Sequence, residues 1–416
     1  MPAMLQVLLI FLAIVALLGV VLEDVIHVNK AKITLFLGTL AWILLFMFGG
    51  SADHQEHVIR GLEENIAEIA SLWLFLVAAM TFVAYLNKKG LIENLIYLFL
   101  PERISEKSLL FLTAAFCFVF SSLADNITAT LVSVTLILSL NLSLEKTIRF
   151  ATLVVFSVNS GGVALITGDV TTLMIFLADK VHIVDLLMLA APAFLAVMLL
   201  AALLSRGMND IVEVQKHRTD VRGVDISIAI TFLCTILCTI IFNVTFHIPP
   251  VLTFLFGMSI MFLIARFFHD DTEEPILEYI RVIEFETLLF FLGILLLVGM
   301  LKEIHVLDTL VQIYGLLPAF AANYLMGILS ATIDNVPLTA ALLKAGIEMS
   351  PPAWMGLTYA VGVGGSLLVI GSAAGIVAMS KVNGLTFGSY LRYSLFLLIA
   401  YSLGYVAVYY LGVAVL

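Results

Sequence analysis

Apolar residues run along this chain in unbroken stretches of roughly 18 to 25, the length that matches the hydrocarbon thickness of a bilayer. The pattern predicts continuous membrane-crossing helices near residues 3–22, 31–49, 66–86, 186–205, 226–246, 250–267, 285–301 and 387–413. Other apolar segments are interrupted. Residues 109–140 and 318–348 each turn at an Asp-Asn pair and read as re-entrant hairpins, while 147–178 and 353–380 read as helices broken at glycines. The longest polar connection, 206–224, is too short to bury a core of its own.

Composition agrees with that reading. Of 416 residues 62% are hydrophobic and 12% charged, and the mean hydropathy is +1.14, outside the range of soluble domains. The expected fold class is an all-α polytopic membrane protein whose partner is the lipid bilayer. The net charge of −10 gives no reason to expect nucleic acid. Three cysteines make no disulfide framework. The first apolar run lacks a basic n-region and an Ala-x-Ala site, so it is expected to be a retained helix.

Basic residues orient the chain. With the amino terminus outside and both hairpins returning to their side of access, only Arg60, Lys180, Lys302 and Lys344 fall outside. The remaining 16 of the 20 Lys and Arg, among them Lys30, Lys32, Arg103, Lys146, Lys216 and Arg218, fall on or near the cytoplasmic side.

The two halves are alike. Ser121, Asp125, Asn126, Ile127 and Thr128 correspond to Ser330, Asp334, Asn335, Val336 and Pro337; Gly161-Gly162 to Gly168 corresponds to Gly364-Gly365 to Gly371. With the orientation above, residues 1–205 and 225–416 form two inverted-topology repeats joined by a cytoplasmic linker at 206–224. Inverted repeats let one architecture open alternately to either face.

Carboxylates at membrane depth are costly and tend to line ion or proton paths. Asp125, Asp169 and Asp334 are therefore the candidate site residues, with Asn126, Thr128, Asn159, Thr171, Thr172 and Asn335 beside them and Ser121, Ser330, Ser157, Gly161, Gly162, Gly364, Gly365 and Ser366 in support. Backbone unwound at the glycines frees carbonyl oxygens, and with Asp and Thr/Ser oxygens these replace the water shell of a small hard cation. Asp125 and Asp169 rank first for Na⁺ or Li⁺; Asp334, with fewer hydroxyls nearby, is a proton carrier or a structural counterpart. Proton and Na⁺ compete for one desolvated carboxylate, and competition with alternating access is exchange. The plain alternative is that each Asp caps the helix after it; capping and ion binding are compatible in one residue.

Less specific features remain. Glu68, Glu284 and Glu286 lie near span ends as interfacial or functional carboxylates; Lys302 and Lys344 snorkel outward, or Lys344 pairs with a carboxylate of its hairpin. Asp53-His54-Gln55-Glu56-His57 reads as a solvated loop before a pH-sensing cluster.

These motifs carry a resemblance. Ser121 to Thr128, Asn159-Ser-Gly-Gly162 followed by Gly168-Asp-Val-Thr-Thr172, and Ser330 to Pro337 resemble the NhaD-type Na⁺/H⁺ antiporters of the ion transporter superfamily, over essentially the whole chain. The resemblance implies exchange of Na⁺ or Li⁺ for H⁺ across a bacterial inner membrane, with no cofactor and no enzymatic activity. It also implies a homodimer whose transport domain moves elevator-fashion against a scaffold. One departure is that the family usually carries Pro-Ile before Gly-Asp, where this chain has Ile166-Thr167. Rival readings are a Na⁺-coupled anion symporter, which a carboxylate in each hairpin disfavours, and an arsenite or antimonite exporter, which cysteines placed outside the motifs disfavour. An intramembrane aspartyl protease, needing two carboxylates that share a proton, gives the repeat no purpose.

Overall fold

The computed structural model describes residues 3–26, 28–48, 52–140, 142–214, 219–268 and 278–416. Among them the chain is helical apart from one two-stranded ribbon, Arg103–Ser105 paired antiparallel with Ile211–Glu213. Nine helices among the described residues are long and apolar enough to cross a membrane.

Most predicted spans appear with ends shifted by a few residues: Ala3–Val21, Lys30–Phe48, Ile183–Leu204, Gly223–Phe246, Pro250–Phe268 and Phe285–Glu303. Glu106–Leu123, read from sequence as a hairpin leg, is itself of spanning length.

Other elements differ from expectation. Ala52–Lys88 is one helix of 37 residues, about 55 Å long at 1.5 Å per residue. Residues 53–57 therefore belong to a helix and not to a loop. Of that cluster, His57 Nδ1 lies 3.1 Å from Glu303 Oε2; the side chains of Asp53 and His54 lie outside the described set. The predicted span 387–413 is split into Phe387–Leu391 and Ser394–Val415. A capping box hidden in the apolar run, in which Thr386 Oγ1 accepts from Ser389 N at 3.2 Å and Thr386 N donates to Ser389 Oγ at 2.8 Å, starts the short piece. Lys344 pairs with Glu68 Oε2 at 2.6 Å and not with a carboxylate of its own segment.

The connection 206–224 carries the second ribbon strand; Lys216, His217 and Arg218 lie outside the described residues, as does Asp270. Lys146 fastens the ribbon, with its Nζ 2.6 Å from both Glu106 Oε1 and Asp210 Oδ2. Between Ala52–Lys88 and Leu91–Phe99 only Lys89 and Gly90 intervene. Gly90 is in the left-handed region at φ 69°, and a Cβ there would sit 2.7 Å from Thr219 Oγ1. Asn94 clasps the same residue: its Nδ2 donates to Thr219 O at 2.7 Å and its Oδ1 accepts from Thr219 N at 3.0 Å.

Two apolar cores result, each drawing on both halves of the sequence. One packs Ala3–Val21, Lys30–Phe48, Ala52–Lys88, Gly223–Phe246, Pro250–Phe268 and Phe285–Glu303 around Phe75, Phe82, Phe254 and Phe290. The other packs Glu106–Leu123, Asn126–Ser139, Leu144–Gly162, Ile183–Leu204, Pro351–Gly364 and Ser394–Val415 around Phe150, Phe156, Tyr359, Tyr401 and Tyr405. Such burial is non-directional, so the cores leave the polar seam between them to be organised by hydrogen bonds.

Candidate functional site

Four helices begin at that seam. Asn126–Ser139, Val170–Leu177, Asn335–Lys344 and Ala373–Lys381 are each preceded by a side chain that accepts from a free backbone N–H, as a helix start requires. Asp125 accepts from Thr128 N at 2.9 Å, Asp169 from Thr171 N at 2.9 Å, Asp334 from Val336 N at 3.1 Å, and Ser372 from Gly375 N at 3.3 Å. The capping role expected as the plain alternative is thus present at all three aspartates. It occupies one oxygen of each.

The second oxygens distinguish them. Asp125 Oδ2 accepts from the Thr128 hydroxyl at 2.7 Å. Asp169 Oδ2 accepts from two amides, Asn126 Nδ2 at 2.9 Å and Asn335 Nδ2 at 3.2 Å. Asp334 Oδ2 faces the Lys30 ammonium at 3.4 Å. Asp125, Asp169, Asp334, Asn126, Asn335, Ser372 and Lys30 all line one cavity of about 100 Å³. Leu76, Met80, Phe290 and Phe291 form its apolar wall. Asp169 is 7% exposed and Asn335 5%, so ordinary solvent does not satisfy them.

A layer behind the cavity holds the amides in place. Ser121 Oγ lies 2.8 Å from Asn126 Oδ1 and 2.8 Å from Val158 O; Ser330 Oγ donates to Val361 O, also at 2.8 Å. Asn159 Nδ2 donates to Ser372 Oγ at 2.9 Å, and Asn126 Nδ2 lies 3.5 Å from Asn159 Oδ1. Thr172 Oγ1 donates to Gly162 O at 3.2 Å, and Thr167 Oγ1 to Ser122 O at 2.6 Å. Gly162 is required by close approach: a Cβ there would lie 2.7 Å from Asn126 Oδ1 and 3.0 Å from Asp169 Cβ. Gly161 likewise faces the Phe118 backbone, Gly364 faces Gly327, and a Cβ on Gly365 would lie 2.7 Å from Gly371 O.

Some predicted residues stand apart. Ser366 Oγ donates to Val363 O at 2.6 Å and its carbonyl accepts from Tyr390 Oη at 2.5 Å, with no share in the cavity wall. Ser157 Oγ is buried without a hydrogen-bond partner among the described residues. Among those residues no three His, Cys, Asp or Glu side chains converge as a metal cage. Ser372, Lys30 and Thr287 are polar lining residues outside the candidate set. Ser372 corresponds to Asp169 once Gly371 is laid over Gly168, so the repeat held that signal. Lys30 carried none, because a lysine beside a span end is ordinary.

A family profile described as "Citrate transporter" matches residues 3–362. The Na(+)/H(+) antiporter NhaD of Alkalimonas amylolytica is 30% identical over 424 residues, covering 93% of this chain and 87% of that protein. The chain belongs to the NhaD-type branch of the citrate transporter family. Other relatives are similar over comparable lengths. The Vibrio cholerae NhaD is 29% identical, covering 92% of this chain and 87% of that protein. Sodium/proton antiporter 1 of Arabidopsis thaliana is 28% identical, covering 89% and 68% respectively. The family places this chain among multi-pass membrane transporters and not among enzymes.

Proposed function

We propose that this NhaD-type chain exchanges Na⁺ or Li⁺ for H⁺ across a bacterial inner membrane by alternating access. The observation that carries the reading is Asp169, buried at the seam and held through one oxygen by an amide from each half, Asn126 and Asn335. Asp125 lines the same cavity with its own hydroxyl partner, Thr128. A cavity of about 100 Å³ has room for a small cation and a few waters at roughly 30 Å³ each. The cation is cargo. Turning either amide by half a rotation offers an oxygen where it now offers N–H, so Asn126 and Asn335 serve the protonated and the cation-bound carboxylate with the same side chain. Proton and cation then exclude one another at Asp169 and Asp125, which couples the fluxes.

The halves support an inverted repeat with re-entrant turns: both hairpin tips carry a capping Asp, a following Asn and a Ser tied to a backbone carbonyl at 2.8 Å. The ribbon supports the orientation, since it pairs two segments that the charge count places in the cytoplasm. On this reading the first core is the scaffold and the second the transport domain, and the protein works as a homodimer with the amino terminus periplasmic.

Anion transport, suggested by the family's description, is the second reading. Four helix starts around one cavity favour an anion. Here, however, Asp125, Asp169 and Asp334 already occupy three of those starts. The test is proton movement in proteoliposomes loaded with acid. Adding Na⁺ or Li⁺ is expected to alkalinise the lumen, and citrate or arsenite to leave it unchanged. Asp125→Asn and Asp169→Asn each abolish the response while the protein still purifies folded. Wild-type activity in either variant removes that residue from the site.

A further inference from the structure

A cation already stands in the cavity. Lys30 Nζ lies 3.4 Å from Asp334 Oδ2 and 4.5 Å from the centre of the Phe290 ring. The Lys30 side chain is 18% exposed and that of Asp334 11%. Lys30 opens the helix Lys30–Phe48, the end at which the helix dipole disfavours positive charge, so helix formation does not account for a lysine there. Its backbone is anchored as well. Lys30 N donates to Glu23 Oε1 at 3.0 Å, and the preceding Asn29 accepts from Ala31 N at 2.8 Å and donates to Glu286 Oε2 at 2.6 Å.

Lys30 also lines a wider cavity of about 320 Å³, whose other charged groups are Glu23, Glu284, Glu286 and Lys381. Ile127, Thr287 and Ala373 are common to this vestibule and the inner cavity. The lysine therefore stands where the two meet, facing Asp125, Asp169 and Asp334 on one side and three glutamates on the other.

The two hairpin tips share a capping Asp, a following Asn and a Ser on a backbone carbonyl. Their second carboxylate oxygens differ in kind: Asp125 Oδ2 meets a hydroxyl that is free to rotate away, whereas Asp334 Oδ2 meets an ammonium on a residue whose backbone is anchored. A lysine ammonium is a compact point charge with three donors, the nearest thing a side chain offers to a bound alkali cation. We infer that Lys30 is a tethered resident cation that fills the Asp334 half of the cavity, confines the travelling cation to Asp125 and Asp169, and so fixes the charge exchanged per cycle. This rests on the exchange function proposed above. It assigns Asp334 the structural role and withdraws it as a proton carrier.

Reversal potential tests the inference, because the ion ratio at which net proton movement stops depends on coupling and not on rate or yield. Wild type and Lys30→Arg are expected to reverse at one ratio. Lys30→Gln exposes Asp334 to a further cation or proton and is expected to reverse at a different one. A Lys30→Gln protein that reverses with wild type overturns the inference while leaving the exchange function intact; a wild type that moves no protons overturns both. Should Lys30→Gln fail to assemble, Lys30→Gln with Asp334→Asn removes both charges together. That protein is expected to keep the wild-type ratio whatever its rate, and a shifted ratio shows that Asp334 carries an ion.

Discussion

Asp169 meets the demands of a shared carboxylate because Oδ2 is held by two side-chain amides that can turn, while Oδ1 caps a helix and neither oxygen meets a fixed charge. Ser121 sets the orientation of one of those partners. Ser121→Ala removes a hydroxyl whose single proton is shared between Asn126 Oδ1 and a backbone carbonyl, whereas Ser330→Ala removes one that meets only a carbonyl. At about 1 kcal/mol per hydrogen bond, Ser121→Ala is expected to weaken apparent Na⁺ affinity about fivefold more than Ser330→Ala. Titrating Na⁺-dependent proton flux in both variants checks it, and equal losses would remove Asn126 from the site. Competition at one carboxylate has a definite sign with pH. Protons occupy the site at low pH, so apparent Na⁺ affinity rises as pH rises, by up to about tenfold per unit for a single competing proton, until the carboxylate is empty. An affinity flat from about pH 6 to 9, a window wide enough to cross a perturbed carboxylate, points to separate sites for the two ions.

At the scale of elements, the helix interruptions decide the geometry. Leu144–Gly162 and Val170–Leu177 are separated by a non-helical stretch that brings Gly162 against both Asn126 and Asp169. Gly162→Ala pushes the amide away from the carboxylate and is expected to reduce Na⁺ affinity about fivefold, the loss of roughly one hydrogen bond. Gly388→Ala, where a Cβ meets nothing within 4 Å, is expected to stay within about 0.5 kcal/mol of wild type. Affinity and thermal unfolding measured on both separate a site effect from a folding effect. Much at this scale was legible in the sequence, for a physical reason. Asp125, Asn126, Asp169 and Asn335 stand out because polar groups at membrane depth have few other uses. Lys30 did not stand out, since its value lies in a contact 304 positions away. The split at 392–393 was hidden because a two-residue turn hardly changes the mean hydropathy of a long apolar run. The helix over 52–57 was hidden because charged residues form exposed helix as readily as loop.

For the whole molecule, the distribution of polar links is the informative feature. Lys146 ties Glu106 to Asp210, and the ribbon ties Arg103–Ser105 to Ile211–Glu213, so the connection between halves belongs physically to the second core. The orientation has a direct check. With Cys117, Cys234 and Cys238 replaced by serine, Asp220→Cys is exposed on that connection and is expected to react with a membrane-impermeant maleimide only from the cytoplasmic face. Reaction from outside would invert every side assignment.

The short joint at Lys89-Gly90 bears on how such a molecule moves. Two residues leave no slack between the long helix Ala52–Lys88 and Leu91–Phe99, so on the alternating-access reading proposed above the nine-residue helix is expected to turn as a crank, with a radius of about 14 Å. The pivot is a left-handed glycine pressed on Thr219, and Asn94 parks the crank there with two amide hydrogen bonds. A bulkier residue at position 90 is expected to jam the pivot without touching the cavity, leaving a protein that loads its cargo and never delivers it.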